Sequence, residues 1–466
     1  TLALDSGRLT VSGVMNVSTG FTQTGGILEL APAAAADSGH LTLGSSSSSG
    51  WMGGTWQGPG AVEIAPGASL KVSGLSPKRL VNGYIYNEGE IHWTEGDIEV
   101  VGVGDGAFNG GSLVNANLLS LEGEADLHVA ADAPNTRAVV RNLSDAVLRK
   151  SVSTGSVSFA AAQTGSRVQL DNAGEIDVQA GALHLEAGSS SGLIAIAPGA
   201  SVVLEPSPQG DPFALLSGSS LVAADPQGSV SGLSSFLINP GATLAIAGDV
   251  VSSGVAWKQN GGDLLFRIEP SSDPWASDPR LTLDSGAYQW QGGRIAGQGS
   301  LEIASSAELQ IDGPVDKALG STGSGQQTTL RNSGTITWSG GSIATDGTVF
   351  VENYGTVLID GDLILGAGSE NGSIDFYNAY DAALIKQGGA GLSLFGTQLQ
   401  PAFVRNDGTL AVQSGVLRAW SGASSGILVV GGSAPGAVFE PGAGGFALTS
   451  GALVQGLGAL RLAPDG

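Results

Sequence analysis

A short pattern that recurs along the chain restricts its fold more than any other feature. Residues 332–343 read Asn-x-Gly-x-apolar-x-apolar, followed by a second glycine and a further apolar residue, and residues 87–98 repeat this closely. Looser copies begin at Asn172, Asn239, Asn353 and Asn406. Each copy predicts turn, strand, turn and strand, because Asn and Gly tolerate positive φ and alternating apolar residues turn one face inward. So short a segment buries its apolar face only by stacking on its neighbours, as in a solenoid.

Composition agrees with a folded, β-rich chain. The 466 residues include 75 Gly without the triplet of collagen, and 41% of them are apolar, which is enough to build a core. A net charge of −23 opposes binding to nucleic acid and to anionic membranes. Cysteine is absent, so disulfides and thiolate metal sites are excluded, and no apolar run has transmembrane length. Residues 1–4 already alternate like a strand, so we expect any export signal to lie outside this segment.

Strand signals dominate and helical periodicity is nearly missing. Residues 26–30, 61–64, 193–196 and 300–303 are typical, being four or five residues long and bounded by Gly, Pro, Asn or Ser. Two-residue hairpin turns are few, whereas Asn returns at the interval of a coil, where stacked amides can hydrogen-bond along the axis. The sequence therefore predicts an all-β parallel β-helix, or β-solenoid. A sandwich or barrel of hairpins is the alternative.

The chain reads as nearly two tandem copies of a unit of roughly 235–245 residues. Trp51 and the Met-Gly-Gly after it match Trp290 and Gln-Gly-Gly, and the eight residues from Asn172 match the eight from Asn406. We predict one solenoid unit over residues 1–242 and a second, continuous with it, over 243–466. Neither end has a polar or helical cap, so we expect a piece of a longer array or ends that dock onto further copies.

Four histidines offer acid–base or metal-binding chemistry: His40, His92, His128 and His184. All lie in or beside alternating strands. His40, His92 and His184 have Arg280, Thr337 and Arg418 as their counterparts in the second copy. An exposed position on a polar strand face is therefore the preferred interpretation.

Three carboxylate pairs have the spacing of an acid and base on one strand face. They are Asp97 with Glu99, Glu122 with Glu124, and Asp360 with Asp362. A solvated acidic face has the same spacing, and the chain lacks both the Asp and His motifs of polygalacturonases and the Arg and Lys cluster of pectate lyases. We predict no enzyme activity, no catalytic residue and no cofactor.

Two acidic loops could bind Ca²⁺ and four tryptophans could bind sugars, but each feature has a simpler structural explanation. The loops at residues 104–106 and 360–362 offer the oxygen ligands that Ca²⁺ prefers, but the nonapeptide of calcium-binding β-rolls is absent, so solvated turns are the preferred interpretation. Trp51, Trp93, Trp290 and Trp338 occupy matching strand positions in the two copies. A stack inside the coil explains them better than a sugar-binding surface.

The Asn-x-Gly-x-Ile-x-Trp-x-x-Gly-x-Ile motif at Asn87 and Asn332, with strands of the form Gly-Ala-x-Leu-x-Val between, resembles the β-strand repeats of large secreted bacterial adhesins. These are the filamentous-haemagglutinin type and autotransporter passengers. The resemblance covers the whole chain and implies a right-handed parallel β-helix at a Gram-negative cell surface. No functional site of the family maps onto a residue here. The candidate positions are structural: Asn87, Trp93, Asn172, Asn239, Asn332, Trp338, Asn353 and Asn406.

We therefore expect a structural and adhesive rod of a secreted or surface-exposed bacterial protein, which self-associates with further copies into an extracellular filament or biofilm matrix. Cell-surface receptors and glycans are the other expected partners, and neither nucleic acid binding nor membrane insertion is expected. The alternative function is a polysaccharide-acting or glycan-binding β-helix protein, such as a lyase, a hydrolase or a phage tailspike.

Overall fold

The computed structural model describes residues 1–31, 39–102, 111–161, 165–224, 233–268, 278–320, 326–366, 372–431 and 436–462. These residues form strands and turns only. Accordingly, the described residues provide no helix with the length and apolar character needed to span a membrane. The chain divides into two compact units, Thr1–Leu237 (unit 1) and Ile238–Gly466 (unit 2), a division that lies just before the predicted one at residue 242.

The strands of unit 1 are β1 Leu2–Leu4, β2 Arg8–Val11, β3 Val14–Val17, β4 Phe21–Gln23, β5 Ile27–Leu30, β6 His40–Leu43, β7 Ser48–Trp51, β8 Gly54–Gln57, β9 Ala61–Ile64, β10 Ser69–Val72, β11 Lys78–Val81, β12 Tyr84–Asn87, β13 Glu90–Trp93, β14 Ile98–Val101, β15 Ser112–Asn115, β16 Leu118–Leu121, β17 Leu127–Val129, β18 Arg137–Asn142, β19 Val147–Lys150, β20 Ser156–Ala160, β21 Arg167–Asn172, β22 Glu175–Val178, β23 Ala182–Leu185, β24 Ala187–Ser190, β25 Leu193–Ile196, β26 Ser201–Leu204, β27 Phe213–Leu216 and β28 Ser220–Ala223. The division between the units falls within β29, Ser235–Ile238.

The strands of unit 2 are β30 Thr243–Ala247, β31 Asp249–Ser253, β32 Ala256–Phe266, β33 Arg280–Gly297, β34 Gly299–Ile311, β35 Lys317–Gly320, β36 Gln327–Asn332, β37 Thr335–Trp338, β38 Ile343–Asp346, β39 Thr348–Asn353, β40 Thr356–Asp360, β41 Ile364–Leu365, β42 Ser373–Asn378, β43 Ala383–Gly388, β44 Leu392–Phe395, β45 Ala402–Asn406, β46 Thr409–Val412, β47 Val416–Ala419, β48 Ser421–Ser424, β49 Ile427–Val430, β50 Val438–Pro441, β51 Phe446–Leu448, β52 Leu453–Gln455 and β53 Ala459–Leu460.

Within each unit, strands pair in parallel with strands one coil away. In unit 1 the partner is the third strand along the chain, so three strands make one coil. For example, β10 pairs with β7 and with β13, which places Trp51, Val72 and Trp93 one above another. In unit 2, β37 pairs in the same way with β40. The predicted parallel β-solenoid is confirmed, and the sandwich or barrel of hairpins is excluded.

Alternation along each strand separates the core from the outer surface. In β13, Ile91 and Trp93 point inward with 1% of their surface exposed, while Glu90 is exposed and His92 is half-buried. Successive coils repeat this alternation in register, so inward side chains form columns that are covered by the coils before and after them. The core is therefore a set of columns within the coil, as the motif predicts.

The first coils of unit 2 differ from the predicted strands of four or five residues. Strands β32, β33 and β34 contain 11, 18 and 13 residues and continue around corners. β33 pairs with β31 through its first residues and with β32 through its later ones. Glycines make these corners, and Gly286 and Gly293 have φ values of 96° and 80° that favour glycine. A corner of this kind needs no loop, so the strand is not interrupted.

Candidate functional site

The most distinctive polar feature of unit 1 is a column of asparagine side chains inside the coil. Asn87 Nδ2 donates to Asn115 Oδ1 at 2.7 Å, Asn115 to Asn142 at 2.8 Å and Asn142 to Asn172 at 2.8 Å. The column ends where Asn172 Nδ2 donates to Ser190 Oγ at 2.9 Å. All five side chains are buried. Each amide also donates to a backbone carbonyl, such as that of Leu118 for Asn87, so the buried donors are satisfied.

Unit 2 contains the same column. Asn332 donates to Asn353 at 2.8 Å, Asn353 to Asn378 at 2.7 Å, and Asn378 to Asn406 at 2.7 Å. Asn406 donates to Ser424 Oγ at 2.9 Å, so this column also ends on a serine. We call the two columns the asparagine ladders. Each ladder consists of four asparagines followed by one serine, so each coil of one ladder has a counterpart in the other.

Five of the six predicted asparagine corners belong to the ladders: Asn87, Asn172, Asn332, Asn353 and Asn406. Sequence analysis missed Asn115, Asn142 and Asn378, because none of them has a glycine two positions later. The internal duplication could have identified two of them. Asn142 and Asn378 are separated by the same number of residues as Lys150 and Lys386, so they occupy corresponding positions in the two copies.

Asn239, the sixth predicted corner, is half-buried and lies one position beyond the end of β29. It begins the turn before β30, and its backbone carbonyl accepts a hydrogen bond from the Ala242 amide at 3.0 Å. Pro240 and Gly241, with φ of 81° at Gly241, suit the two central positions of such a turn. Asn-x-Gly with proline at the middle position therefore forms a β-turn here.

The glycine of the Asn-x-Gly motif is required for space and not for positive φ. Gly334 does not have a positive φ, yet a Cβ there would lie 2.3 Å from the carbonyl oxygens of both Ala304 and Ala307 in the previous coil. Gly174 and Gly408 meet two carbonyl oxygens in the same way, at 2.2–2.4 Å. The expectation that the motif's asparagine and first glycine punctuate the chain through positive φ is therefore wrong. Close packing of successive corners explains the glycine.

Tryptophan side chains form a second column inside the coil of each unit. Trp93 Nε1 donates to the Gly96 carbonyl at 2.7 Å, and Trp338 Nε1 donates to Gly341 at 2.9 Å. Trp51 and Trp290 occupy the same columns as Trp93 and Trp338. All four tryptophans are at most 3% exposed, so their predicted core position is confirmed. Gly96 and Gly341, two positions before the last apolar residue of the motif, do have positive φ, at 73° and 67°.

Four buried lysines occupy matching positions in the two units: Lys78 with Lys317, and Lys150 with Lys386. Each is at most 1% exposed, and each Nζ donates to turn carbonyls, such as those of Gly74 for Lys78 at 2.6 Å and Ser153 for Lys150 at 2.9 Å. Burial lowers the pKa of Lys78, Lys150 and Lys317. Sequence analysis missed these residues, because lysine is expected at the surface.

The acidic loop at residues 360–362 surrounds a lysine ammonium group. Lys386 Nζ lies 2.9 Å from the Gly361 carbonyl and 3.3 Å from Asp362 Oδ1. Asp362 also accepts the Gly391 amide at 3.0 Å. The other loop suggested for calcium, at 104–106, lies outside the described residues. Among the described residues, no three His, Cys, Asp or Glu side chains are grouped so as to hold a metal ion.

The other predicted carboxylate pairs are divided among different partners. Asp97 Oδ1 accepts the Asp126 amide at 2.9 Å, whereas Glu99 lies 3.5 Å from Arg79 Nε. Glu122 accepts from His92 Nδ1 at 2.7 Å, while Glu124 accepts from Ser153 Oγ at 3.3 Å.

Each histidine lies on an outer strand face beside a glutamate. The distances are 2.7 Å for His40 with Glu63, 2.7 Å for His92 with Glu122, 3.9 Å for His128 with Glu99, and 2.9 Å for His184 with Glu205. The hydrogen bond that the His92 ring donates to Glu122 raises the pKa of His92. These pairs bridge neighbouring coils across the polar surface.

Glu186 gives unit 1 a testable pH dependence. Its carboxylate accepts the Ala161 amide at 2.7 Å, and desolvation by burial raises its pKa from 4.5 to about 7. A raised carboxyl pKa stabilises the fold below pH 4.5, and this stabilisation is lost as pH rises through about 7. We expect the loss to be about 1–2 kcal/mol after allowance for partial exposure, and Glu186→Gln to abolish it. Denaturant unfolding near pH 5 and pH 8 measures this, with Glu175→Gln as the control that should retain the wild-type pH dependence.

In comparisons with known proteins, no family model and no curated protein matches this chain.

Proposed function

We propose that this chain is a structural and adhesive segment of a secreted or surface-exposed bacterial protein. The observation that carries the proposal is the pair of asparagine ladders, whose members correspond one to one in the two units. A ladder fixes the register of successive coils, because each buried amide needs its neighbour for a hydrogen bond. Duplicating such a unit makes a longer scaffold, because each added coil repeats the same core contacts with its neighbours.

Ion pairs on the outer faces also link one coil to the next. Arg331 lies 3.3 Å from Glu302 in one neighbouring coil and 2.8 Å from Glu352 in the other. Arg418 and Arg461 both contact Glu440, which is fully buried. Such contacts favour a stiff surface. The resemblance of the motif to adhesin repeats supports placing this scaffold at a Gram-negative surface or in an extracellular matrix.

Self-association by coil stacking is part of the proposal. Leu448, Val454 and Leu460 continue inward columns beneath Ser424, Leu428 and Phe439, yet they are 47%, 44% and 50% exposed. The inward residues of the preceding coils, such as Leu410, Leu428 and Phe439, are at most 1% exposed. A further parallel coil, from the same protein or from a second copy, would cover these three side chains and pair with the backbone of β51–β53.

Sedimentation velocity over a range of concentrations, with electron microscopy of the same samples, tests this proposal. We expect concentration-dependent assemblies that lengthen along one axis. Val454→Lys should abolish them, because it places a charge in the stacked interface. Gln455→Lys, on the outer face of the same strand, should leave assembly unchanged. A single compact species at every concentration would contradict the proposal.

A further inference from the structure

Turn residues of unit 2 line a groove that runs across successive coils. Ala383, Thr409, Ile427 and Leu453 mark four coils in register, and the groove beside them encloses about 910 Å³. This volume lies within the range of small-molecule sites. Neighbouring coils lie about 4.8 Å apart, which is close to the spacing of sugar units in an extended glycan.

Tyrosines give one end of the groove an aromatic surface. Tyr380 lines the groove with 76% of its surface exposed. Close by, Tyr354 is 47% exposed and meets the Tyr377 ring edge-on, at 6.1 Å between centroids and an angle of 81°. An exposed tyrosine ring offers an apolar face for stacking and a hydroxyl for hydrogen bonding.

A polar network holds donors and acceptors beside these rings. The Arg405 guanidinium lies 4.9 Å above the Tyr377 ring centre and donates to Asp407 at 3.0 Å. Asp407 also accepts from Ser425 Oγ at 2.7 Å. The Ser425 hydrogen bond, followed by Arg405, lowers the pKa of Asp407, which favours a carboxylate. The network is thus positioned before any ligand binds, which reduces the entropy cost of recognition.

Unit 1 has the same ladder without this aromatic set. Relative to the corresponding ladder asparagines, Tyr354, Tyr377, Tyr380, Arg405 and Asp407 are replaced by Ala116, Arg141, Ser144, Asp171 and Ala173. The β-turn that follows the ladder asparagine is the same in both units. The Ala146 amide donates to the Leu143 carbonyl in unit 1, just as the Ala382 amide donates to the Ala379 carbonyl in unit 2. The fold of the corner therefore does not require the tyrosines or Arg405.

From this groove we propose that unit 2 binds a neutral oligosaccharide, with Tyr380 stacking on a sugar ring and Arg405 with Asp407 bonding to its hydroxyl groups. A paired guanidinium and carboxylate offers donors and acceptors together, which matches hydroxyl groups. Asp381 adds a second carboxylate at the groove, and the whole chain has a net charge of −23. Anionic glycans are therefore disfavoured.

Calorimetric titration with cellotriose, maltotriose, tri-N-acetylchitotriose and, as the anionic probe, trigalacturonate tests the proposal. We expect saturable binding of at least one neutral trisaccharide, weakened about tenfold or more by Tyr380→Ala and by Arg405→Ala. Tyr380→Phe should retain most of the affinity, because its ring still stacks. Tyr86→Ala, which removes an outward-facing tyrosine of unit 1, should have no effect.

Three outcomes would overturn the proposal. They are no saturable binding of any neutral probe at millimolar concentration, tighter binding of trigalacturonate than of the neutral probes, and neutral binding that Tyr380→Ala leaves unchanged. Tyr380 is exposed in a turn, so its variants are expected to fold, and an unchanged thermal midpoint verifies this. Because assembly through β51–β53 is measured separately, failure here is distinguishable from failure of the scaffold proposal.

Discussion

Asn353→Ala is expected to lower the free energy of unfolding of unit 2 by roughly 3 kcal/mol. The substitution removes the acceptor of Asn332 Nδ2 and the donor to Asn378 Oδ1, at 2.8 and 2.7 Å. Both neighbours are fully buried, so water does not replace the lost bonds without opening the coil. The Ala383 backbone carbonyl also loses the hydrogen bond that it accepts from Asn353 Nδ2 at 3.0 Å. Equilibrium unfolding in denaturant, followed by tryptophan fluorescence, measures the change.

Glu352→Ala is the matched control for the ladder. Glu352 precedes Asn353 in β39, but its side chain points outward and pairs with Arg331 at 2.8 Å. An exposed ion pair of this kind contributes less than about 1 kcal/mol, so the variant should unfold nearly as wild type does. If Asn353→Ala were as mild as Glu352→Ala, the ladder would not stabilise the coil.

Gly334→Ala is expected to destabilise unit 2 by a similar amount, roughly 3 kcal/mol, for a steric reason. The added methyl group would lie 2.3 Å from the carbonyl oxygens of Ala304 and Ala307, and backbone atoms cannot move aside as a flexible side chain can. Separating the two corners also disturbs the bond from the Gly334 amide to Asn332 Oδ1, at 3.1 Å. The shift in the denaturant midpoint reports the loss.

Gly361→Ala separates the steric effect from the general effect of replacing glycine. The three atoms nearest to its Cβ would be side-chain atoms of Leu363, at 3.3–3.5 Å, and Gly361 does not have a positive φ. We expect a change of at most about 1 kcal/mol. Equal destabilisation by both substitutions would show that close packing of the corners is not the reason for the motif glycine.

Sequence analysis could predict the architecture because its signals are local and repeated. Alternating strands, the Asn-x-Gly motif and matched tryptophans each mark one coil, and stacking places them in register. The reason for the motif glycine was misassigned, because the clash at Gly334 involves Ala304 and Ala307 of the previous coil and depends on how closely the corners approach. Asn239 fits the same letters, and the Pro240 and Gly241 that follow it form a β-turn.

The groove and the buried lysines were not predictable in the same way. Successive ladder residues in unit 2 are 21, 25, 28 and 18 residues apart, so the coils differ in length. These unequal coils decide that Tyr380, Arg405 and Ser425 share one groove. Lysine burial depends on turn carbonyls that meet each Nζ, and a single sequence does not reveal them without the register.

Engineered cysteine pairs test the central claim, parallel stacking in register, most directly. The chain has no cysteine, and Thr337 and Leu358 are outward neighbours on β37 and β40. Strands about 4.8 Å apart permit a disulfide between them, whereas a partner two residues out of register lies too far away. We predict that Thr337→Cys with Leu358→Cys oxidises to an intramolecular disulfide, and that Thr337→Cys with Thr356→Cys does not. Efficient crosslinking of the second pair, or none of the first, would contradict the parallel solenoid.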